Sequence, residues 1–462
     1  MLTLDGLLAA TGGFLAAEGE RSFSGVSIDS RSVQAGEIFF ALKGERHDGH
    51  DYLMPALQQA AGAVVSRSCR PLDPTRYKEK TLVAVDDTIA ALQQWAAYCR
   101  KEFAGQVVAI AGSNGKTTTK EMTASVLSMC RRTHKTAGNL NNHIGLPLSL
   151  LRTPDDAEVI VVEMGTNQPG DVAHLCAIAR PDVGVITNIG LEHLLGFGSL
   201  EKVRDAELEL LPYVHTVIVN ADDPFLMSGV IERFRGKIIS FGVSADNADI
   251  RAAHIETTDR GVRFMLKKDG ASAQVQLQVA GRFNIANAAA AAGVGHAFGM
   301  TVDDIAAGLS LFRGVRMRFS VIESGGSTIL ADVYNANPSS MEAAVLELEQ
   351  LSRSGAEGKR RRTIAVLGDM LELGEREAEL HAALGTFLKK QGVDLFVGVG
   401  RLMHSAVTAF GRGAHTVADT GAAADFLRPV LTAGDVILIK GSRGMKMERL
   451  CELLGLPVVA ER

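Results

Sequence analysis

The chain has 462 residues, of which 46% are hydrophobic and 22% charged, so it carries enough apolar mass for several cores and too much for a disordered chain. A formal net charge of −5 excludes any general attraction to nucleic acid or anionic membrane. No stretch approaches the ~20 apolar residues of a membrane helix, and Asp5 stands where a signal peptide would carry Lys or Arg. A cytoplasmic monomer with no nucleic-acid or membrane partner is expected. The five cysteines, Cys69, Cys99, Cys130, Cys176 and Cys451, are scattered and never paired as C-x-x-C. They read as reduced thiols rather than a disulfide framework or zinc site.

At roughly 100–200 residues per domain the length suggests three domains, and the pattern divides the chain into blocks 1–103, 104–313 and 314–462. The first is a small α/β block with strands in EIFFAL (37–42), AGAVVS (61–66) and TLVAV (81–85). A helix over 88–103 follows, with Ile89, Leu92, Trp95, Ala96 and Cys99 on one face. The central block opens strand–turn–helix in QVVAIAGSNGKTTTKEM. VIVVEMG (159–165), DVGVITNIG (182–190) and TVIVNADD (216–223) follow as strands apolar on both faces, the mark of a helix-covered parallel sheet. After residue 240 the pattern changes to alternation, as in GVRFMLKKDGASAQVQLQVAG, which predicts an antiparallel extension. The third block has strands at 327–336, 362–370, 394–400 and 435–443 separated by helices, a second doubly wound, Rossmann-like α/β unit.

The strongest chemical signal is AGSNGKTTT, residues 111–119. Glycines between a strand and a helix let backbone N–H groups approach a polyphosphate, Lys116 would neutralise its oxygens, and Thr117 would offer a hydroxyl to Mg²⁺. The match is the compact G-x-x-G-K-T form, because Ile110 stands where the longer consensus has glycine. Glu163 and His193 follow neighbouring strands, at the sheet edge that carries the loop. An exposed loop acid and a structural histidine are the plain alternatives. NADDP (220–224) could hold a ribose or make an Asx turn. Asn284 and Asn287, one helical turn apart, could read adenine or cap a helix.

In order along the chain, GSNGKTTTKEM, EMGTNQPGD, NIGLEHLLGFGS, NADDP and GRFNIANA resemble the Mur ligases, ATP-dependent enzymes that build the peptidoglycan peptide. YNANPSSM (334–341), LGDMLELGE (367–375) and KGSR (440–443) extend the resemblance over nearly the whole chain. YNANP with LGDMLELGE is similar to the D-alanyl-D-alanine-adding members, and the D-N-P-R motif of the diaminopimelate-adding member is absent. Residues 27–53 look like a uridine-nucleotide domain.

The resemblance implies three domains and ligation of UDP-N-acetylmuramoyl-tripeptide to D-alanyl-D-alanine with ATP and Mg²⁺. It implies nucleotide contacts from Gly112, Ser113, Asn114, Gly115, Lys116, Thr117 and Thr118. Asn284 and Asn287 would contact adenine, and Arg318 and Asp332 would close on the nucleotide from the third domain. Thr117, Glu163, His193 and Glu207 would serve the metal, with Lys116, His193, Glu207 and Arg318 catalytic. Ser30, Arg31, Asp48, Gly49 and His50 would lie in the uridine-nucleotide region. Asn139, Asn141 and Asn142 would lie near the muramoyl-peptide, with Asn335 and Asn337 also on the substrate side. Three positions depart from the family pattern: Met317 replaces the glycine before Arg318, Phe283 replaces a histidine, and Glu207 replaces the carbamylated lysine. Another Mur-type or folylpolyglutamate-type amide ligase, or a nucleotide-gated binding protein, is the alternative.

Overall fold

The computed structural model describes residues 2–68, 79–258, 261–353 and 359–456. Cys69 lies outside them; Cys99, Cys130, Cys176 and Cys451 are free thiols.

Five strands make the first main sheet: β1 (Phe14–Ala17), β2 (Gly25–Ser27), β3 (Glu37–Phe40), β4 (Gly62–Ser66) and β5 (Thr81–Val85), in the order β1-β5-β4-β3-β2. Helix α1 (Thr88–Glu102) covers it. Asp87 starts α1 by accepting the N–H groups of Ile89 and Ala90. Its apolar face buries Leu92, Trp95 and Ala96, with Trp95 stacked on Phe40 and edge-on to Phe23.

The central sheet has nine strands: β6 (Gln106–Ala111), β7 (Thr133–Lys135), β8 (Val159–Glu163), β9 (Val183–Ile186), β10 (Thr216–Asn220), β11 (Lys237–Gly242), β12 (Ile250–Thr258), β13 (Gly261–Lys268) and β14 (Ala271–Leu277). Their order is β14-β13-β12-β11-β10-β9-β6-β8-β7. The strands from β7 to β12 in this order are parallel, and β12, β13 and β14 pair antiparallel, so the hairpin read from sequence lengthens the same sheet. Strand β6 explains the two-faced apolar pattern. Val107, Ala109 and Ala111 point into the core shared with α1, while Val108 and Ile110 point into the opposite core. That second core contains helices α2 (Lys116–Leu127) and α4 (Phe283–Ala297); α3 (Leu200–Glu207) precedes β10. Ala288–Ala292 are all buried in α4, so the alanine run supplies close packing as well as helix propensity.

The third sheet contains β15 (Ser320–Ser324), β16 (Ser327–Asp332), β17 (Thr363–Gly368), β18 (Leu395–Val399), β19 (Ala414–Val417) and β20 (Val436–Lys440), ordered β15-β16-β20-β17-β18-β19. Only β15 is antiparallel. Helices α5 (Pro338–Ser352) and α6 (Glu377–Lys390) pack on this sheet and on each other. Among the described residues no helix is long and apolar enough to cross a membrane.

Candidate active site

A cavity of about 630 Å³ opens at the carboxyl ends of β6, β8 and β9 and is closed on the far side by the third domain. Its floor is the loop from β6 into α2. Gly112 (φ +113°) and Gly115 (φ +84°) adopt backbone that side chains rarely take. A Cβ would also lie 2.3 Å from the Thr187 hydroxyl at Gly112 and 2.2 Å from Asn287 Oδ1 at Gly115. Both positions therefore require glycine for conformation and for space.

Lys116 Nζ donates to the carbonyls of Gly112 (2.6 Å) and Ser113 (3.3 Å), with Glu192 Oε2 3.7 Å away. Burial alone would lower its pKa, but Glu192, Glu207 and Glu163 together hold it above the usual lysine value. Burial, helped by the nearby Glu207 carboxylate, pushes Glu192 up to about 8 against the pull of Lys116. Sequence reasoning missed Glu192, which lies in the loop beyond β9.

Glu163 ends β8. Its Oε1 accepts from Asn141 Nδ2 at 2.8 Å, while Oε2 has no hydrogen-bond partner and only the buried Lys120 ammonium 3.9 Å away. Lys120 was also missed; its Nζ donates to the Thr136 and Gly138 carbonyls, bracing the loop that carries Asn141. Thr117, Glu163 and His193 all line the cavity. A hydroxyl and an under-bonded carboxylate suit Mg²⁺, a hard cation that takes few protein ligands and completes its shell with phosphates and water, and the imidazole is the softer third donor. Among the described residues no three His, Cys, Asp or Glu side chains form a ready-made metal cage.

Glu207 is fully buried and does not line the cavity. Its Oε2 instead accepts the Gly112 N–H at 2.7 Å, beneath the phosphate loop, and burial raises its pKa.

The third domain contributes Arg318, Asp332, Asn335, Asn337 and Lys440 to the cavity wall. Arg318 donates to the Thr117 hydroxyl at 3.1 Å and lies 3.8 Å over the Tyr334 ring. Asp332 is ion-paired with buried Lys440, which also donates to the Asn335 carbonyl at 2.8 Å. Asn335 Oδ1 accepts the Ala336 N–H. On the opposite wall Asn284 and Asn287 are buried and chained, Asn287 Nδ2 donating to Asn284 Oδ1 at 3.1 Å.

Ser113, Asn114, Thr118, Asn141 and Asn142 also line the cavity. Asn142 Oδ1 is also occupied by the Ile144 and Gly145 N–H groups. Asn139, Ser30, Arg31, Asp48, Gly49 and His50 lie outside the cavity. Arg31 forks onto Asp29 in solvent. His50 uses both ring nitrogens within the fold, Nδ1 on Asp48 at 2.6 Å and Nε2 accepting the Ser66 N–H. NADDP follows the plain alternative: Asp222 accepts three backbone N–H groups from residues 243–245, and Asp223 caps the next helix.

Comparison with known proteins matches residues 22–99 to the Mur ligase family catalytic domain, 110–295 to the Mur ligase middle domain and 317–443 to the Mur ligase glutamate ligase domain. The chain is 38% identical over 435 residues to the UDP-N-acetylmuramoyl-tripeptide–D-alanyl-D-alanine ligase of Escherichia coli, covering 93% of each. The Bacillus subtilis protein of that name is 36% identical, with 92% of each chain covered. The chain belongs to the Mur ligase family. The fold of this Mur ligase superposes on MurF from Acinetobacter baumannii with a TM-score of 0.88, 32% identity and 98% and 99% of the two chains covered. It superposes on MurF ligase from Thermotoga maritima in complex with ADP with a TM-score of 0.80 and 30% identity, covering 93% and 96%.

Two departures of this Mur ligase now have physical content. Met317 sits at φ +62°, where glycine would be unstrained, and its side chain is buried in the third-domain core. Phe283 packs edge-on against Phe319 with ring centroids 4.9 Å apart, giving an apolar contact between the central and third domains.

Proposed function

We propose that this Mur ligase joins D-alanyl-D-alanine to the tripeptide carboxylate of UDP-N-acetylmuramoyl-tripeptide at the expense of ATP, making a peptidoglycan precursor. The observation that carries the reading is the single cavity in which the phosphate loop, Glu163 and the third-domain cations Arg318 and Lys440 meet. It occurs in a chain similar over 93% of its length to ligases of that name.

A carboxylate does not acylate an amine unaided, because oxide would have to leave. Transfer of the γ-phosphoryl group to the carboxylate gives an acyl phosphate and ADP. Attack by the dipeptide amine then forms the amide bond and releases phosphate. The loop amides and Lys116 hold the phosphates, and Arg318 offsets charge on the group in flight. Asn284 and Asn287 face the adenine, and Asp332 holds the nucleotide from the third domain. Thr117, Glu163 and His193 would hold Mg²⁺, whose charge would offset that of the phosphates. Glu207 acts from beneath, fixing the Gly112 N–H. Asn141 and Asn142 face the muramoyl-peptide, as do Asn335 and Asn337 from the third domain. The 29–50 face of the first domain receives the uridine nucleotide. Docking of the third domain keeps water from the acyl phosphate.

The test is phosphate release from ATP with each nucleotide-tripeptide, carrying lysine or diaminopimelate, with and without D-alanyl-D-alanine. Turnover that requires both peptide substrates is expected. ATP hydrolysis indifferent to the dipeptide would overturn the reading.

A further inference from the structure

Beside the cavity, two non-glycine residues in left-handed backbone face each other: His193 at φ +45° and Glu372 at φ +66°. Such conformations are held only where surrounding structure over-determines them, and they gather at functional sites. His193 follows β9 in the central domain. Glu372 lies in the third-domain loop between β17 and α6. His193 Nδ1 is 2.5 Å from Glu372 Oε2.

The neighbouring contacts make this a docked junction. The Leu195 N–H donates to the Glu372 carbonyl at 2.9 Å, and Leu194 is buried in the third-domain core. The loop presenting Glu372 is itself braced. Met370 N–H donates to His381 Nε2 at 3.1 Å, and Leu371 N–H donates to the Ser442 hydroxyl at 2.9 Å. Asp369 Oδ1 accepts the Met403 N–H at 2.8 Å.

We infer that Glu372 is the positioning residue for His193, so that docking of the third domain completes the cation site of the central domain. The inference rests on the reading of His193 as a cation ligand. A carboxylate on Nδ1 fixes the ring's orientation and its tautomer, leaving the Nε2 lone pair for a metal. Glu372 enters only with the third domain, so a separated domain leaves the ring unheld. Cation affinity and domain docking thereby become linked.

The test measures Mn²⁺ binding by electron paramagnetic resonance in the full-length protein, with a non-hydrolysable ATP analogue present. His193→Ala, Glu372→Ala and the double variant are compared with wild type. Glu372 is more than half exposed, so its truncation leaves no cavity, and thermal melting checks each fold. Glu372→Ala is expected to weaken Mn²⁺ about 10–100-fold. Once His193 is gone it should add nothing, because the carboxylate acts only through the ring. Glu372→Gln, which keeps an acceptor without the charge, should fall between. Wild-type Mn²⁺ affinity in Glu372→Ala, or full additivity in the double variant, overturns the inference while leaving the ligase reading intact. Wild-type affinity in His193→Ala removes the ligand assignment and the inference with it.

Discussion

Asn337 Nδ2 donates to Asn114 Oδ1 across 2.9 Å, so the third domain grips the middle of the phosphate loop. Asn114 returns a hydrogen bond from Nδ2 to Ser339, also at 2.9 Å. The same Asn337 is the N-cap of α5, its Oδ1 accepting the Ser340 N–H. One side chain therefore starts a helix and joins two domains.

Serine caps helices about as well as asparagine but cannot reach across to Asn114. Asn337→Ser should therefore keep the melting temperature while lowering turnover. Asn337→Ala should lose about 1 kcal/mol of stability as well. Solution scattering with ATP analogue and both peptide substrates should show less third-domain docking in both variants. Equal melting losses in the two would reject this division of roles.

Lys116→Ala should reduce ligation about 10²–10³-fold, the size of one lost transition-state charge contact. The fold should survive, because losing the cation that pulls the Glu192 pKa down lets burial keep that carboxyl protonated, so no unpaired charge is left inside. Near-normal turnover by the folded variant would refute the assignment.

His381 supplies a pH dependence. Its Nε2 accepts the Met370 N–H, and Nδ1 contacts the Glu377 carbonyl at 2.6 Å, so the bonded ring is neutral. Burial lowers its pKa below the ordinary 6.5. The unfolded chain then binds more protons than the folded one at acid pH. The stability His381 provides is present above about 6.5 and drains away as pH falls through the lower, folded value. Melting temperature should drop across that acid window, and His381→Gln should flatten the drop. A window unchanged in the variant would remove His381 as its source.

The parallel strands, the glycine loop and Glu163 were legible because each leaves a local signature: a two-faced apolar run, a strand–glycine–helix junction, an acid at a strand end. Glu192, Lys120 and Glu372 were not. Each lies inside a recognisable motif, GLEH, TTTKEM or LGDMLELGE, but its role arises only when segments such as 193 and 372 meet. Glu207 shows the reverse limit. Its position could be found by motif, but its burial and its hydrogen bond to Gly112 depend on helix α3 packing beneath the loop.

Met317 sets strain against burial. Glycine there would relieve a left-handed residue of about 1–2 kcal/mol. Losing a buried methionine side chain costs about 2–5 kcal/mol. Burial wins, so Met317→Gly should lower stability by roughly 1–3 kcal/mol in urea unfolding. A stabilised variant would show that the strain is larger than the packing.

Glu207 carries the last prediction. The resemblance aligns Glu207 with the family's carbamylated lysine, and glutamate already carries two oxygens and an acidic group. Its Oε2 holds the Gly112 N–H, while Oε1 is buried without a partner. It sits close enough to Lys116 and Glu192 to act on both electrostatically. Glutamine would keep the acceptor for Gly112 and remove the charge. Glu207→Gln should therefore preserve the loop and its melting temperature while loosening the hold on Lys116, cutting turnover sharply and raising the Mg²⁺ requirement. Wild-type turnover should be the same in CO₂-depleted buffer as with bicarbonate, since no carbamate has to form. Bicarbonate-dependent activity in the wild type, or unchanged turnover and metal dependence in Glu207→Gln, would sink the assignment.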